Sequence, residues 1–522
     1  MDVEHGRWWS GAGARLGRSR RARLAIGAGA AAAGSVAVAG GVVLGREVRR
    51  SGPRVLLERA RRSRRVAFLA LRRAFALARL RTRRAGEQEL DEFHVHTAEQ
   101  VFELLGGMKG AIMKLGQMLS VLAENLPEVY QQALRGLQQS APPMAAHLVA
   151  DVIEAELGQP PERAFFEFSP EPVAAASIGQ VHRARLFDGT PVAVKVQYPG
   201  VDVAIRADLD NAFLLYSAAR AIAPGIDPEP VVSELRERMG DELDYRIEAA
   251  NQEEFRAAYE GHPWVRIPAV HRDVSTARVL VAEWVSGRSL YDLLDEPQDT
   301  RDRVAEQLFR FWAGSISKML LFNADPHPGN YFFEADGGIW FLDFGLVKRF
   351  EAEEIEHLKD RVAALRSGDD QAVVNAIMRH GWLRPGMKID HKRMVELARL
   401  SVLPLVDHQP FTYTREYIAE TIDAMFNIEG PYGDVIRQMT LPRNQLMLTR
   451  IHLGLGGLFA KLGATRDWAS ILDEYLFDAP PSTPMGAEVA GWPKVPDRSK
   501  ERQKAPGGGA HPPDKGGVSG QE

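Results

Sequence analysis

The sequence predicts an α+β chain of two lobes, a small strand-rich lobe followed by a larger helical one, preceded by a helical extension and a basic, membrane-anchoring segment. Three observations carry the prediction. Short apolar runs separated by tight-turn residues are concentrated in the stretch from Phe165 to Trp284. Three- and four-residue apolar spacing dominates the stretches before and after it. The 522 residues exceed one average domain, in a chain whose 45% hydrophobic and 26% charged composition is that of a soluble globular protein. The same composition excludes a polytopic membrane protein and a wholly disordered chain. With no cysteine, disulfides, thiolate-bound zinc and cysteine nucleophiles are excluded as well.

Residues 1–92 form the basic segment. Between Arg7 and Arg84 stand 21 arginines, no lysine and few acids, so a chain of net charge -4 must be acidic elsewhere. Leu24 to Gly45 carries no charge, has arginines on both flanks and reaches the about 20 residues that a bilayer span needs. A twin-arginine export signal at Ser19-Arg20-Arg21 and an organellar transit peptide are the rival readings. Residues 54–84 then mix Val55, Leu56, Leu57, Val66, Phe68, Leu69, Phe75 and Leu77 with arginines, as a basic amphipathic helix on anionic lipid would. A solvated helix or a nucleic-acid-binding stretch has the same composition, but no reader fold is recognisable, and no nucleic-acid partner is expected.

Residues 93–164 read as the helical extension, with Leu104, Leu105, Met108, Ile112, Leu115, Met118, Leu119 and Leu122 at helical spacing. The small lobe is assigned to 165–287. Its strands are expected at Phe165–Phe168, Val181–Leu186 and Val192–Val196, the last two joined by Phe187-Asp188-Gly189-Thr190, and again at Ala277–Trp284. Helical pattern occupies Val201–Ala223 and Pro228–Tyr259 between them. The large lobe, 288–479, is helical except for short strands at Tyr331–Phe333 and Ile339–Leu342, which turn at Gly337-Gly338. Residues 480–522 are rich in Pro, Gly and Lys without apolar periodicity and are expected to be disordered. The lobe order is that of a bilobal protein-kinase-like fold.

Candidate chemistry falls in the matching order. Val192-Ala193-Val194-Lys195 ends a strand in the pattern whose lysine holds the α- and β-phosphates of ATP in kinases. Asp325 stands five residues before Asn330, the spacing of a kinase catalytic loop, and Asp343-Phe344-Gly345 begins thirteen residues after Asn330. Mg²⁺ is a hard cation that keeps several waters, so the carboxylate of Asp343 and the amide oxygen of Asn330 suffice opposite the phosphates. Asp325 would accept or orient the proton of the attacking hydroxyl or water. Each element alone has a structural explanation: an exposed strand lysine, a turn aspartate, a cap. The ordered set of four does not.

The phosphate-covering loop departs from the kinase pattern. Aligned on Val181, G-x-G-x-x-G-x-V becomes Ala174-Ala175-Ala176-Ser177-Ile178-Gly179-Gln180-Val181, in which only the third glycine survives. Added Cβ atoms predict a stiffer nucleotide-binding loop. Asn323-Ala324 replaces His-Arg before the catalytic aspartate, His327 stands where kinases commonly carry lysine, and no Ala-Pro-Glu motif follows Gly345.

Together these departures resemble the UbiB family, atypical kinase-like proteins linked to coenzyme Q biosynthesis. The resemblance rests on the run Ala174 to His182, on Lys114-Leu115-Gly116-Gln117 against that family's Lys-x-Gly-Gln motif, on Glu242-Leu243-Asp244-Tyr245 with Glu248-Ala249-Ala250-Asn251, and on Ala324 to Asn330. It spans roughly Phe93 to Ala464. It implies that the extension bearing Lys114 and Gln117 packs over the cleft, meeting Glu242 and Asp244, and disfavours protein substrates. It implies that Glu248 pairs with Lys195, and that Mg-ATP is hydrolysed or used in phosphotransfer for isoprenoid quinone or other lipid metabolism. The expected partners are nucleotide and membrane lipids, isoprenoid quinone precursors among them, at a bacterial inner membrane with the catalytic domain cytoplasmic. A small-molecule or protein kinase and a nucleotide-binding regulatory scaffold stay open as alternatives.

Overall fold

The computed structural model describes residues 144–494 except 177, 204, 206–239, 324–325, 384–388, 428–429 and 441–444. The expected span at 24–45, the basic helix at 54–84 and the extension as far as residue 143 lie outside the described residues. Among the described residues no helix is long and apolar enough to cross a membrane.

The small lobe is one four-stranded antiparallel sheet of β1 (Glu167–Ala176), β2 (Gly179–Arg185), β3 (Pro191–Gln197) and β4 (Val279–Glu283), in that order. Two helices cover its faces: α1 (Ala146–Leu157) and α2 (Tyr245–Ala258). Side chains alternate across a strand, and β3 uses both sides. Val192, Val194 and Val196 are fully buried against Val149, Val152 and Ile153 of α1. Lys195, between two of them in sequence, therefore projects toward α2. On that face Ile178, Leu280, Tyr245 and Ala249 form a second apolar cluster. The β2–β3 turn forms where Asp188 and Gly189 predict it: Thr190 donates its N–H to the Asp188 carboxylate at 2.9 Å, and Gly189 takes φ +88°.

Of the helix expected at Pro228–Tyr259, residues 228–239 lie outside the described residues, 240–242 are helical, and after a break at Leu243-Asp244 the chain resumes as α2. Asp244 accepts the N–H of Arg246 and caps it. From there Tyr245, Glu248, Ala249, Gln252 and Phe255 recur on one buried face.

The large lobe is built around α3 (Gln298–Gly314), buried on most of its circumference, and it continues as a π-helical turn, Ser315–Met319, closed by Leu320 at φ +57°. Two short antiparallel pairs follow: β5 (Leu321–Asn323) with β8 (Val347–Arg349), and the hairpin β6 (Tyr331–Phe333) with β7 (Ile339–Phe341), turning at Gly337. Phe311 of α3 stacks on Phe341 at 3.8 Å between centroids, and Trp312 packs on Phe322. This aromatic layer fixes both strand pairs to one helix. Helices α4 (Ala352–Ser367), α5 (Asp370–Arg379), α6 (His391–Val406), α7 (Arg415–Phe426), α8 (Gln445–Leu462) and α9 (Trp468–Leu476) complete the lobe.

Two expectations need correction. β1 does not end at Phe168: it runs on through the alanine run to Ala176, because β2 offers partners along that length. Order also extends past 479, to Lys494. Thr483 accepts from Arg310 and donates to Glu306, and Trp492 packs edge-on against His262. Buried charges on α3, which need partners, hold a segment that composition alone marks as tail.

Candidate phosphotransfer site

Lys195 and Glu248 meet between β3 and α2. The ammonium donates to both carboxylate oxygens, at 2.7 and 2.9 Å, with the side chains 16% and 6% exposed. Burial works against the lysine's charge, but Glu248, then Asp343 and Tyr245, outweigh it and hold its pKa above the ordinary value. Burial pushes the Glu248 carboxyl up, Lys195 pulls it down, and the charge of Asp343 pushes it up again. The two-pronged contact is that of an ammonium with a carboxylate.

Asp343 follows β7. Its Oδ1 accepts the N–H of Gly345 at 2.9 Å, and its backbone carbonyl accepts the side-chain amide of Asn323 at 2.5 Å. Phe344 is fully buried with its ring 5.1 Å from that of Phe255 on α2, and its carbonyl accepts from Asn251 at 3.2 Å. Asn251 in turn accepts from Arg349 at the end of β8. A Cβ on Gly345 would lie 3.3 Å from the Glu248 carboxylate, so the Asp343-Phe344-Gly345 turn closes directly against the ion pair. The N–H of Leu342 donates to the carbonyl of Asn330 at 3.1 Å, which brings the two expected metal ligands to adjacent backbone positions. One carboxylate and one amide oxygen there suit a hard cation shared with phosphates. Among the described residues no three His, Cys, Asp or Glu side chains converge on a metal position, as a cation held in an all-protein cage would need. His327 caps the turn before Asn330, its Nδ1 accepting the N–H of Gly329. Asp325 lies outside the described residues.

The alanine-rich segment is a hairpin. Ala174 pairs with Val181, Ala175 with Gln180 and Ala176 with Gly179, with Ile178 in its turn; Ser177 lies outside the described residues. Register then sorts the eight expected contact residues, since partners directly opposite share a face. Val181 lies opposite Lys195, so Ala174, Ala176, Gly179 and Val181 share the lysine's side. Ala175 and Gln180 belong to the other side, and Ile178 is buried beneath the turn. The surviving glycine answers a steric demand within the sheet: a Cβ on Gly179 would sit 2.2 Å from the carbonyl oxygen of Val196.

Gln180 and His182 form a buried relay on the α1 side. The N–H of Met144 donates to Gln180 Oε1, Gln180 Nε2 donates to His182 Nε2, and His182 Nδ1 donates to the carbonyl of Ser169, each at 2.9 Å. This order needs a neutral imidazole, and burial lowers the histidine's pKa. Of the expected regulatory residues, Asp244 caps α2 and holds Arg246 at 2.8 and 2.6 Å, Glu242 is buried, and Lys114 and Gln117 lie outside the described residues. Sequence reasoning missed the supports Tyr245, Asn251, Asn323 and His182 as parts of the site. The signal for Asn323 was its place, where kinases carry histidine before the catalytic aspartate.

The model of the ABC1 atypical kinase-like domain matches residues 136–377, from ahead of α1 into α5. A solved Mycobacterium tuberculosis protein in complex with erythromycin shares 32% identity at a TM-score of 0.55, over 76% of this chain and 100% of that one. This chain belongs to the ABC1 atypical kinase-like family. Similar relatives of this UbiB type are the mitochondrial atypical kinase COQ8B of Rattus norvegicus, 34% identical over 280 residues, and the probable protein kinase UbiB of Marinobacter nauticus, 31% identical over 287. Each alignment takes in 53% of this chain, and 53% and 52% of the relatives, so the chain spans about half the length of the curated relatives it matches. The matched family domain contains the whole Lys195, Glu248, Asn330 and Asp343 constellation.

Proposed function

We propose that this protein is a magnesium-dependent ATP-binding enzyme of the ABC1 atypical kinase-like family, which hydrolyses ATP or transfers its phosphoryl group in support of isoprenoid quinone or other lipid metabolism at a membrane. The observation that carries the reading is the buried Lys195–Glu248 pair closed off by the Asp343-Phe344-Gly345 turn. A lysine so held offers a fixed positive charge to the α- and β-phosphates. Asp343 and Asn330 supply the oxygens for Mg²⁺, which would neutralise charge on the phosphates, and Asp325 is assigned the proton of the acceptor. The arginine-rich segment 1–92, with its uncharged stretch 24–45, supports attachment to anionic lipid with the catalytic domain on the cytoplasmic side. The test incubates the full-length protein with radiolabelled ATP and Mg²⁺, with or without anionic liposomes, isoprenoid quinone precursors or generic protein acceptors. Label in inorganic phosphate or on a lipid precursor, stimulated by liposomes, is the expected result. Label on protein acceptors alone would replace the lipid reading with a protein kinase, and no magnesium-dependent turnover would overturn the enzyme assignment.

A further inference from the structure

Tyr245 opens α2 and is 2% exposed, packed with Ile178 and Leu280 below the hairpin. Lys195 Nζ lies 5.0 Å from the centroid of its ring, so the ammonium that Glu248 holds also rests against an aromatic face. Its hydroxyl is fully buried and has no hydrogen-bond partner among the described residues. A Cβ on Gly179 would lie 3.0 Å from that oxygen, so the hydroxyl sits directly beneath the first rung of the hairpin. Packing and the contact with Lys195 would be served as well by phenylalanine. A buried hydroxyl without a partner costs about 1–3 kcal/mol, and tyrosine here therefore needs a partner in another state of the site.

We propose that Tyr245 is a positioning residue of the nucleotide site, its ring seating Lys195 and its hydroxyl donating to a hairpin backbone carbonyl near Gly179 when bound nucleotide draws the hairpin onto the phosphates. The proposal rests on the Mg-ATP reading above. The hairpin is suited to the part: Ala174 and Ala175 are exposed, and its cleft-side residues share the face of Lys195. The displacement required is small, because a methyl carbon built on Gly179 would already lie 3.0 Å from the hydroxyl.

The experiment compares full-length wild type, Tyr245→Phe and Tyr245→Leu by thermal melting without nucleotide and by Mg-ATP titration. Tyr245→Phe is expected to melt at the same or a slightly higher temperature without nucleotide and to bind Mg-ATP about three- to tenfold more weakly, the worth of one hydrogen bond. Tyr245→Leu, which also loses the ring, is expected to bind more than about tenfold more weakly. A merely structural tyrosine would change the melting temperature and leave affinity alone. Unchanged affinity in Tyr245→Phe overturns the proposal, as does a lower melting temperature without nucleotide, which would mean that the hydroxyl is already bonded there. A wild type that melts cooperatively but is not stabilised by Mg-ATP overturns the nucleotide reading itself, a result distinct from failure of the variant alone.

Discussion

On the α2 side of the cleft, Glu248 and Phe344 are buried, Lys195 and Asp343 are half-buried, and all are tied by side-chain bonds from three elements, whereas on the hairpin side Ala174 to Ala176 are held by backbone pairing and lie largely in solvent. Charges taken out of water must be bonded to one another or the fold fails, so the first side has one arrangement. Small apolar side chains on a paired strand make no such demand. Under the proposed Mg-ATP reading, the division separates where function is fixed from where it is tuned: the charged side would decide whether nucleotide binds, and the hairpin how closely the backbone approaches it.

The largest effect that would break this contrast is on the ion pair. Glu248→Gln leaves the Lys195 ammonium buried with its main counter-charge gone, and removing one partner of a buried pair costs about 3–5 kcal/mol. Denaturant unfolding of the nucleotide-free protein should show that loss. A cost below about 1 kcal/mol, the worth of a surface pair, would mean that solvent reaches the site and that the two sides do not differ as described.

Asp343→Asn comes next and separates ligand binding from folding. The amide can still accept the N–H of Gly345 through its oxygen, so the nucleotide-free protein should keep its stability. What should vanish is stabilisation by Mg-ATP, about 2.7 kcal/mol at a hundred times the dissociation constant. Retention of the full thermal shift would remove Asp343 from the metal site.

Gly179→Ala tests the root of the hairpin. Since the new methyl would overlap the Val196 carbonyl, β2 must move off β3, with a cost of about 1–3 kcal/mol, as is usual for overpacking. The measurement is again denaturant unfolding. A neutral substitution would show that the sheet yields at this edge, and that the glycine does not owe its place to β3.

The same contrast governs how much of the molecule could be read from its sequence. Lys195, Asn330 and Asp343 could be singled out because chemistry restricts each position to one or two residue types and fold order fixes their spacing, whereas Glu248 was reached only through the family resemblance. The hairpin's extent was not legible, because alanine is neutral between strand and loop and only the register with β2 extends β1 to Ala176. β5 and β8, three residues each, are too short for a period to show. The ordered segment 480–494 escaped for another reason: its anchor, the buried Arg310 and Glu306 of α3, lies far off in sequence. Asn251 and Asn323 support Asp343-Phe344-Gly345 through backbone carbonyls, and such bonds leave no mark beyond a polar residue in a buried place.

The smallest effect asked of the comparison is the one that sharpens it most. Ala176→Gly and Ala175→Gly each remove one methyl from the same strand, and each should lower the stability of the nucleotide-free protein by roughly 0.5–1 kcal/mol through backbone entropy. In that measurement the two variants should be indistinguishable. Their faces differ, because Ala176 pairs with Gly179 on the side of Lys195, whereas Ala175 pairs with Gln180 on the side turned toward α1. Only at Ala176 does loss of the Cβ open space for the hairpin backbone to approach a phosphate, and its place matches the second glycine of the ordinary kinase loop. Mg-ATP affinity should therefore change in Ala176→Gly by more than in Ala175→Gly, and incorporation of labelled phosphate into the protein itself is the second readout. Titration and autophosphorylation of both variants beside wild type decide the matter. Equal behaviour of all three would mean that the hairpin does not contact the phosphates, and that the alanine run tunes nothing at the site the buried charges define.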